Sequence, residues 1–398
     1  MKRLLLAAIS SSVLAMGAVS AQAAETVRFW YHFDNPENPM ADLIARFEAA
    51  NPDIKIEAEN IPWNSYYDNL YTALVGGNAP DAAMVKLFAQ PRLLEMGALV
   101  PLSERIDAWP GKADLLDNLL TLNKGPDGAA YYLPIQYVTL YLYYRADLFE
   151  AAGLQPPKTC DEFREAARTL TKGTDTYGFG FRGGKGGWDQ WGSFVFSRGA
   201  KLEPGGLTTP EAIAANQWLI DMFQKDKSIP PSAPNDGFQE IIGAFKQGRT
   251  AMTIHHIGSS KDLVAALGDK VSAVPVPACD GNAWTSYGDE SLAIFSNTSV
   301  EDAAWKWISF LAEGQNNVEF VKATNQMPVT RSGSDNWTGH EKRFVDATLQ
   351  SLSFAHVLPQ TSATADFVNT DWQTAMQQAL TGQITSEAMM ERLQGLFQ

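Results

Sequence analysis

The sequence predicts an α/β fold built as two lobes. Three observations carry this. Strand-like and helix-like segments alternate along the chain. A long tyrosine-rich β run sits in the middle of it. The chain has 398 residues, 45% hydrophobic and 19% charged, which is the composition of a globular protein long enough for more than one domain.

The elements follow in order. Val27 to Tyr31 reads as a buried strand that runs into the polar His32-Phe33-Asp34-Asn35. Met40, Leu43, Ile44 and Phe47 have helical spacing, and Asn51-Pro52 ends that helix. Ile54 to Ala58 alternates as a strand does. A helix from Ser65 to Val75 stops at Gly76-Gly77. Ala82 to Val85 is a short apolar strand, and Gln90 to Met96 a helix closed by Gly97. This order predicts a mostly parallel sheet covered on both faces. Tyr131 to Tyr144 is the long β run. Thr159 and Glu162 form a capping box, and Thr209-Pro210 opens another helix. Ala251 to Ile254 and Leu292 to Phe295 read as strands, Val274 to Pro277 as extended chain. Ser299 is placed as the cap of the helix carrying Trp305, Ile308 and Leu311, with Trp305 and Trp307 assigned to the core. From Glu341 the chain reads as helical.

The N-terminal segment reads as an address. Lys2 and Arg3 precede an apolar stretch from Leu4 to Val19, interrupted by Ser10 to Ser12, and Ala21-Gln22-Ala23 is a small-x-small cleavage pattern. Residues 1–23 are expected to be a cleaved secretory signal peptide. No cysteine near the cut offers a lipid attachment point, and no later run of about 18 apolar residues offers an anchor. The two cysteines, Cys160 and Cys279, would then sit in an oxidising compartment, either paired or as two separate buried thiols.

Charge and motif content exclude several function classes. A formal net charge of −14 disfavours a broad grip on nucleic acid or anionic lipid. Gly178-Phe179-Gly180-Phe181-Arg182-Gly183 matches a dinucleotide fingerprint by letter, but its flanks are polar and glycine-rich, so it reads as a flexible loop. There is no serine elbow, and His340-Glu341-Lys342-Arg343-Phe344 lacks the second zinc histidine. His255-His256 are neighbours on a strand, expected to face opposite ways and make poor joint ligands. Asp289-Glu290 is too close in sequence for a glycosidase pair and reads as a turn. No catalytic residues, cofactor or metal are expected.

Aromatic rings beside polar residues remain. Trp63, Tyr66 and Tyr67 follow the second strand. Trp188 and Trp191 flank Asp189-Gln190 in a glycine-rich stretch, and Trp284 and Tyr287 precede Gly288-Asp289-Glu290. Rings next to planar hydrogen-bonding groups suit sugars, which present C–H faces and hydroxyl edges.

The stretch Gly248-Arg249-Thr250-Ala251-Met252-Thr253-Ile254, continuing to His255-His256-Ile257-Gly258-Ser259, resembles a strand and loop of family 1 extracellular solute-binding proteins, the maltose-binding-like receptors of ABC importers. Leu133-Pro134-Ile135 through Leu148-Phe149, Asn51-Pro52-Asp53-Ile54, Asn78-Ala79-Pro80-Asp81 and Gly97 to Leu102 fall in the order of that family. Gln136, Tyr141, Arg145, Gly258 and Ser259 depart from its pattern. The resemblance implies a type II periplasmic binding protein fold with a hinge. Residues 24–135 and 285–335 would form lobe 1, and residues 136–284 and 336–398 lobe 2. It implies that His32, Asp34, Trp63, Ser65, Tyr66, Lys86, Gln136 and Thr139 meet a ligand, as do Trp188, Trp191, His256, Ser259, Trp284, Tyr287 and Asp289. Arg331 is placed at an anionic ligand group. The implied partners are a small carbohydrate (sugar, oligosaccharide, glycoside or polyol) and inner-membrane ABC permease subunits, with no nucleic acid, the protein being a periplasmic monomer. Two alternatives stand beside this. One is a receptor for a phosphorylated or sulfonated sugar or polyol, and the other is a secreted carbohydrate-active enzyme using Asp289, Glu290 or Asp34.

Overall fold

The computed structural model describes residues 24–33, 38–334 and 337–398, without the side chains of residues 117, 118, 122 and 289. The signal segment and Asp34 lie outside the described residues. Among the described residues no helix is long and apolar enough to cross a membrane.

Ten strands are described: β1 (Glu25–Tyr31), β2 (Ile54–Asn60), β3 (Ala82–Val85), β4 (Leu133–Arg145), β5 (Tyr177–Gly180), β6 (Thr250–His256), β7 (Val271–Val274), β8 (Thr285–Ile294), β9 (Met327–Pro328) and β10 (Ala355–His356). The main path runs β2-β1-β3-β8-β4-β6-β5. β2, β1 and β3 are parallel, as are β5 and β6, while β8 is antiparallel to β3 and β4 is antiparallel to both β8 and β6. The sheet is therefore mixed, with parallel pairs at its two ends and antiparallel strands between them.

β4 joins the lobes. Its residues Leu133 to Thr139 pair with β8 from Leu292 to Tyr287, and from Leu140 onward it pairs with β6 and β7. The change of partner is clamped by Thr285, whose Oγ1 donates to Leu140 O and accepts from Leu140 N, both at 3.1 Å. One apolar core surrounds β1, β3 and β4, with Phe29, Tyr67, Leu133 and Trp307 fully buried, and continues past Tyr141 and Tyr143 to Phe245 and Val271. A second, holding Phe163, Phe179, Trp191 and Trp372, packs against β5 and β6.

Several local readings hold. Thr159 caps helix Cys160–Leu170 with the Glu162 box, and Thr209 caps helix Pro210–Gln224 with Pro at its first position. Cys160 and Cys279 form a disulfide that ties this first helix to the segment before β8.

Others are corrected. Gly178 and Gly180 lie in β5, not in a loop. Gly178 is needed because a Cβ there would lie 2.0 Å from Ala167 O of the covering helix. Ser299 is not a cap: helix Glu301–Ala312 has Val300 at that position, and Thr298 Oγ1 accepts from Val300 N. In that helix Trp307 is the fully buried ring and Trp305 only half-buried. β8 begins at Thr285, seven residues before the strand the sequence predicts at Leu292, so Tyr287 to Glu290 are strand and not loop.

Candidate functional site

The C-terminal ends of the parallel strands point to one place. β1 delivers His32, β3 delivers Lys86, β5 delivers Arg182, and β6 ends in His255 and His256. In open α/β sheets this is where ligands are held. These residues line a cavity of about 470 Å³ between the two lobes, within the range of small-molecule pockets (roughly 300–1,000 Å³). β4 and β8 form its floor through Gln136, Tyr137, Tyr287 and Glu290. The Tyr137 and Tyr287 rings lie parallel there, 6.4 Å apart.

Strand register builds the polar centre. Val85 of β3 faces Ser291 of β8, so the next residue, Lys86, arrives beside Glu290. Lys86 Nζ and Glu290 Oε1 form an ion pair, and His32 Nε2 lies 3.2 Å from Glu290 Oε2. Glu290 is only 5% exposed. Burial alone would raise its pKa, but the opposing charges of His32 and Lys86 hold it below the usual carboxylate value. Lys86 Nζ also sits 5.3 Å above the Trp63 ring, and His32 packs 4.9 Å from that ring. Trp63, first residue of helix Trp63–Val75, is thus a wall set by the polar centre below it.

The opposite wall comes from the second lobe. Arg182 and Lys185 leave β5, and helix Trp188–Val195 presents Trp188 and Asp189. Gln190 staples this helix to the sheet: its Oε1 accepts from Arg182 N at 2.9 Å and its Nε2 donates to Ile254 O at 2.6 Å. Desolvation raises the pKa of Asp189 to about 6 against the pull of Arg182. Desolvation also lowers His256 to about 3 and His255 well below its usual value, with Lys86 and Arg182 acting in the same direction on His256. Both histidines are therefore neutral. Their rings lie 4.0 Å apart and both line the cavity, because the strand ends at His256 and the chain turns into Ile257–Ser259. They do not face opposite ways as strand alternation predicts. Ser259 Oγ is 2.9 Å from His255 Nδ1. Lys185 Nζ donates to Asn64 O of the other lobe at 2.7 Å, and away from the cavity lining Arg92 pairs with Asp366 at 2.8 Å.

The cavity brings together His32, Trp63, Lys86, Gln136, Trp188, His256, Ser259 and Tyr287 of the residues singled out in the sequence. Others lie elsewhere for visible reasons. Tyr66 is core, its hydroxyl donating to Met84 O at 2.7 Å. Ser65 closes the first turn of its helix on Pro62 O. Thr139 is fully buried and donates to Thr348 O. Trp191 is fully buried, with Nε1 donating to Asn216 Oδ1 at 2.8 Å. Trp284 packs on Phe196 and stacks on His356 outside the cavity. Asp289 lies in β8 opposite Tyr137, and its side chain lies outside the described residues. Arg331 is exposed, because after β9 the chain turns toward residues 114–116, where Ser332 bonds Asp114.

Sequence reasoning missed Arg182, Asp189 as a lining residue, and above all Glu290. Asp189 and Glu290 were visible as acids beside aromatics. The signal for Arg182 was its place directly after a strand. Among the described residues no group of His, Cys, Asp and Glu is arranged to hold a metal ion.

Comparison with known proteins places this geometry. The sequence pattern of the family described as bacterial extracellular solute-binding protein matches residues 34–318. The chain is 26% identical over 394 residues to a binding protein of Brucella abortus (strain 2308), covering 96% of this chain and 94% of that one. It is 26% identical over 363 residues to the sn-glycerol-3-phosphate-binding periplasmic protein UgpB of Escherichia coli (strain K12), covering 82% and 80%. Among solved structures, an ABC transporter solute binding protein from Thermotoga lettingae TMO, bound with α-D-tagatose, superposes with a TM-score of 0.82 at 25% identity, covering 94% of this chain and all of that one.

Proposed function

The chain belongs to the bacterial extracellular solute-binding protein family, and on that premise we propose that it is the periplasmic receptor of an ABC importer for a carbohydrate: a sugar, oligosaccharide, glycoside or polyol. The observation that carries the reading is the interlobe cavity, with the rings of Trp63 and Trp188 on its walls and the Glu290–Lys86–His32 cluster at its base. Rings meet the C–H faces of a sugar, and the cluster offers acceptors and donors to its hydroxyls. The tagatose ligand of the Thermotoga protein is consistent with this.

The proposed action is binding without turnover. A ligand touching both lobes stabilises the arrangement in which the lobes are close, because only that arrangement contacts it from two sides. Periplasmic binding proteins as a class close about a hinge in this way. β4, which changes partner past Thr139, supplies the hinge in this reading together with β8, with residues 24–135 and 285–335 on one side and 136–284 and 336–398 on the other. The permease subunits would recognise the closed, monomeric form, exported by way of residues 1–23, which are then cleaved. The cavity residues His32, Trp63, Lys86, Gln136, Trp188, His256, Ser259 and Tyr287 are proposed to contact the ligand, joined by Arg182, Asp189 and Glu290.

A second reading, a phosphorylated or sulfonated sugar or polyol, draws on the E. coli relative's name and on Lys86, Arg182 and Lys185 in the cavity wall. A thermal-shift screen against sugars, polyols and their phosphate esters tests both. A ligand at 100 times its Kd adds about 2.7 kcal/mol of stability. The ligand must be recovered chemically unchanged. Its conversion, or silence across the whole panel, would overturn the carbohydrate-receptor reading.

A further inference from the structure

We propose that Glu290 is the charge selector of this cavity: its carboxylate, set against Lys86 and His32, admits neutral polyhydroxylated ligands and turns away their phosphate esters. The inference rests on the carbohydrate reading and narrows it.

Three cations, Lys86, Arg182 and Lys185, line the cavity, and taken alone they would suit a phosphate. Each is answered within the wall. The Lys86 ammonium lies on Glu290. The charge of Arg182 acts on Asp189. Lys185 reaches across to Asn64 O. Asp262 adds a third carboxylate to the lining, itself paired with Lys246 at 2.8 Å, and the histidines His255 and His256 are neutral. A phosphate brought to the floor would meet the Glu290 carboxylate where its side chain is only 6% exposed and screening is weak. A hydroxyl meets no such repulsion. It donates to the carboxylate or accepts from the ammonium, whichever it meets. The β4–β8 register fixes the Glu290 backbone at this point, and the ion pair with Lys86 holds its carboxylate there.

The test is calorimetric titration of the purified full-length secreted protein with matched pairs: glycerol against sn-glycerol 3-phosphate, glucose against glucose 1-phosphate, and inorganic phosphate alone. In the wild type each ester binds more weakly than its neutral parent. Glu290→Gln gains affinity for sn-glycerol 3-phosphate and inorganic phosphate, on the order of tenfold or more. The double variant Lys86→Met, Glu290→Gln loses that gain, because the cation that profits from the missing carboxylate is gone. Wild-type protein binding an ester as well as its neutral parent, or Glu290→Gln leaving the ratio unchanged, overturns the proposal. The wild-type comparison decides it even if the variants fold poorly. The two readings fail separately. Neutral sugars bound together with equally well-bound esters would remove the selector and leave the receptor. No sugar bound, with phosphate gained by Glu290→Gln, would remove the carbohydrate and leave the selector.

Discussion

Trp188 and Trp191 stand three residues apart on one helix, and the structure gives them opposite jobs. Trp191 is fully buried against Phe196 at 5.1 Å, Phe367 at 6.1 Å and Trp372 at 6.3 Å, with its indole N–H on Asn216. Replacing a buried Trp by Ala costs about 3–5 kcal/mol. Leaving the buried Asn216 oxygen without its donor adds about 1–3 kcal/mol. The total is a large share of a typical folding stability of about 5–15 kcal/mol. Trp191→Ala should therefore melt far below wild type or fail to fold. Trp191→Phe keeps part of the ring contacts, loses the N–H and one ring of the indole, and should fall between. Trp188 is half-buried at the cavity wall. Trp188→Ala should unfold within about 1 kcal/mol of wild type. Its affinity for whichever sugar the thermal screen identifies should drop roughly 10- to 100-fold, the loss of one ring contact worth about 1.4–2.7 kcal/mol. Urea titration followed by circular dichroism reads the first quantity and calorimetry the second. A Trp188→Ala protein that unfolds, or a Trp191→Ala protein that folds like wild type, would refute the assignment of walls and core.

Two further outcomes are expected. Folding stability should fall as pH drops from about 6.5 toward 4, because the unfolded chain takes up protons on His255, His256 and His340 that the folded chain refuses. Asp189 works the other way: its folded value of about 6 stabilises the protein at low pH, and that contribution is lost as pH rises from its ordinary carboxylate value to about 6. Three histidines outweigh one aspartate, so the urea midpoint should be lower at about pH 5 than at about pH 7; an equal or higher midpoint would contradict the burial of these rings. Reducing the Cys160–Cys279 disulfide, or replacing both cysteines by Ser, should cost about 2–5 kcal/mol in the same assay, since the bond closes a long loop. An unchanged midpoint with reductant present would show that the bond does not hold the second lobe.

Much of the fold was legible because local chemistry and global structure agree. The apolar runs Val27 to Tyr31, Ala82 to Val85 and Ala251 to Ile254 fall within β1, β3 and β6, and Thr159 with Glu162 caps where the pattern says. What hid was polar chain in buried places. The first part of β8 reads Thr-Ser-Tyr-Gly-Asp-Glu-Ser, with none of the hydrophobic run that marks a central strand. It is a strand because β4 lies beside it and because its polar side chains find partners that sequence does not display. Thr285 bonds Leu140, Ser291 donates to Asn123 Oδ1 at 2.7 Å, and Glu290 meets Lys86 and His32. Those partners lie up to 258 residues from Glu290 along the chain, so no window around it could reveal them. The same circumstance explains the site. A buried strand keeps a carboxylate only where something answers its charge. A stretch that breaks the strand pattern at the centre of the sheet is therefore where the molecule departs from what stability alone would choose. Glycine-rich loops are where a binding site shows in sequence, and there the outer wall at Trp188 is visible. The floor lies in the segment that resembles a turn, and its acid, Glu290, has Lys86 and His32 opposite, an arrangement able to hold a hydroxyl.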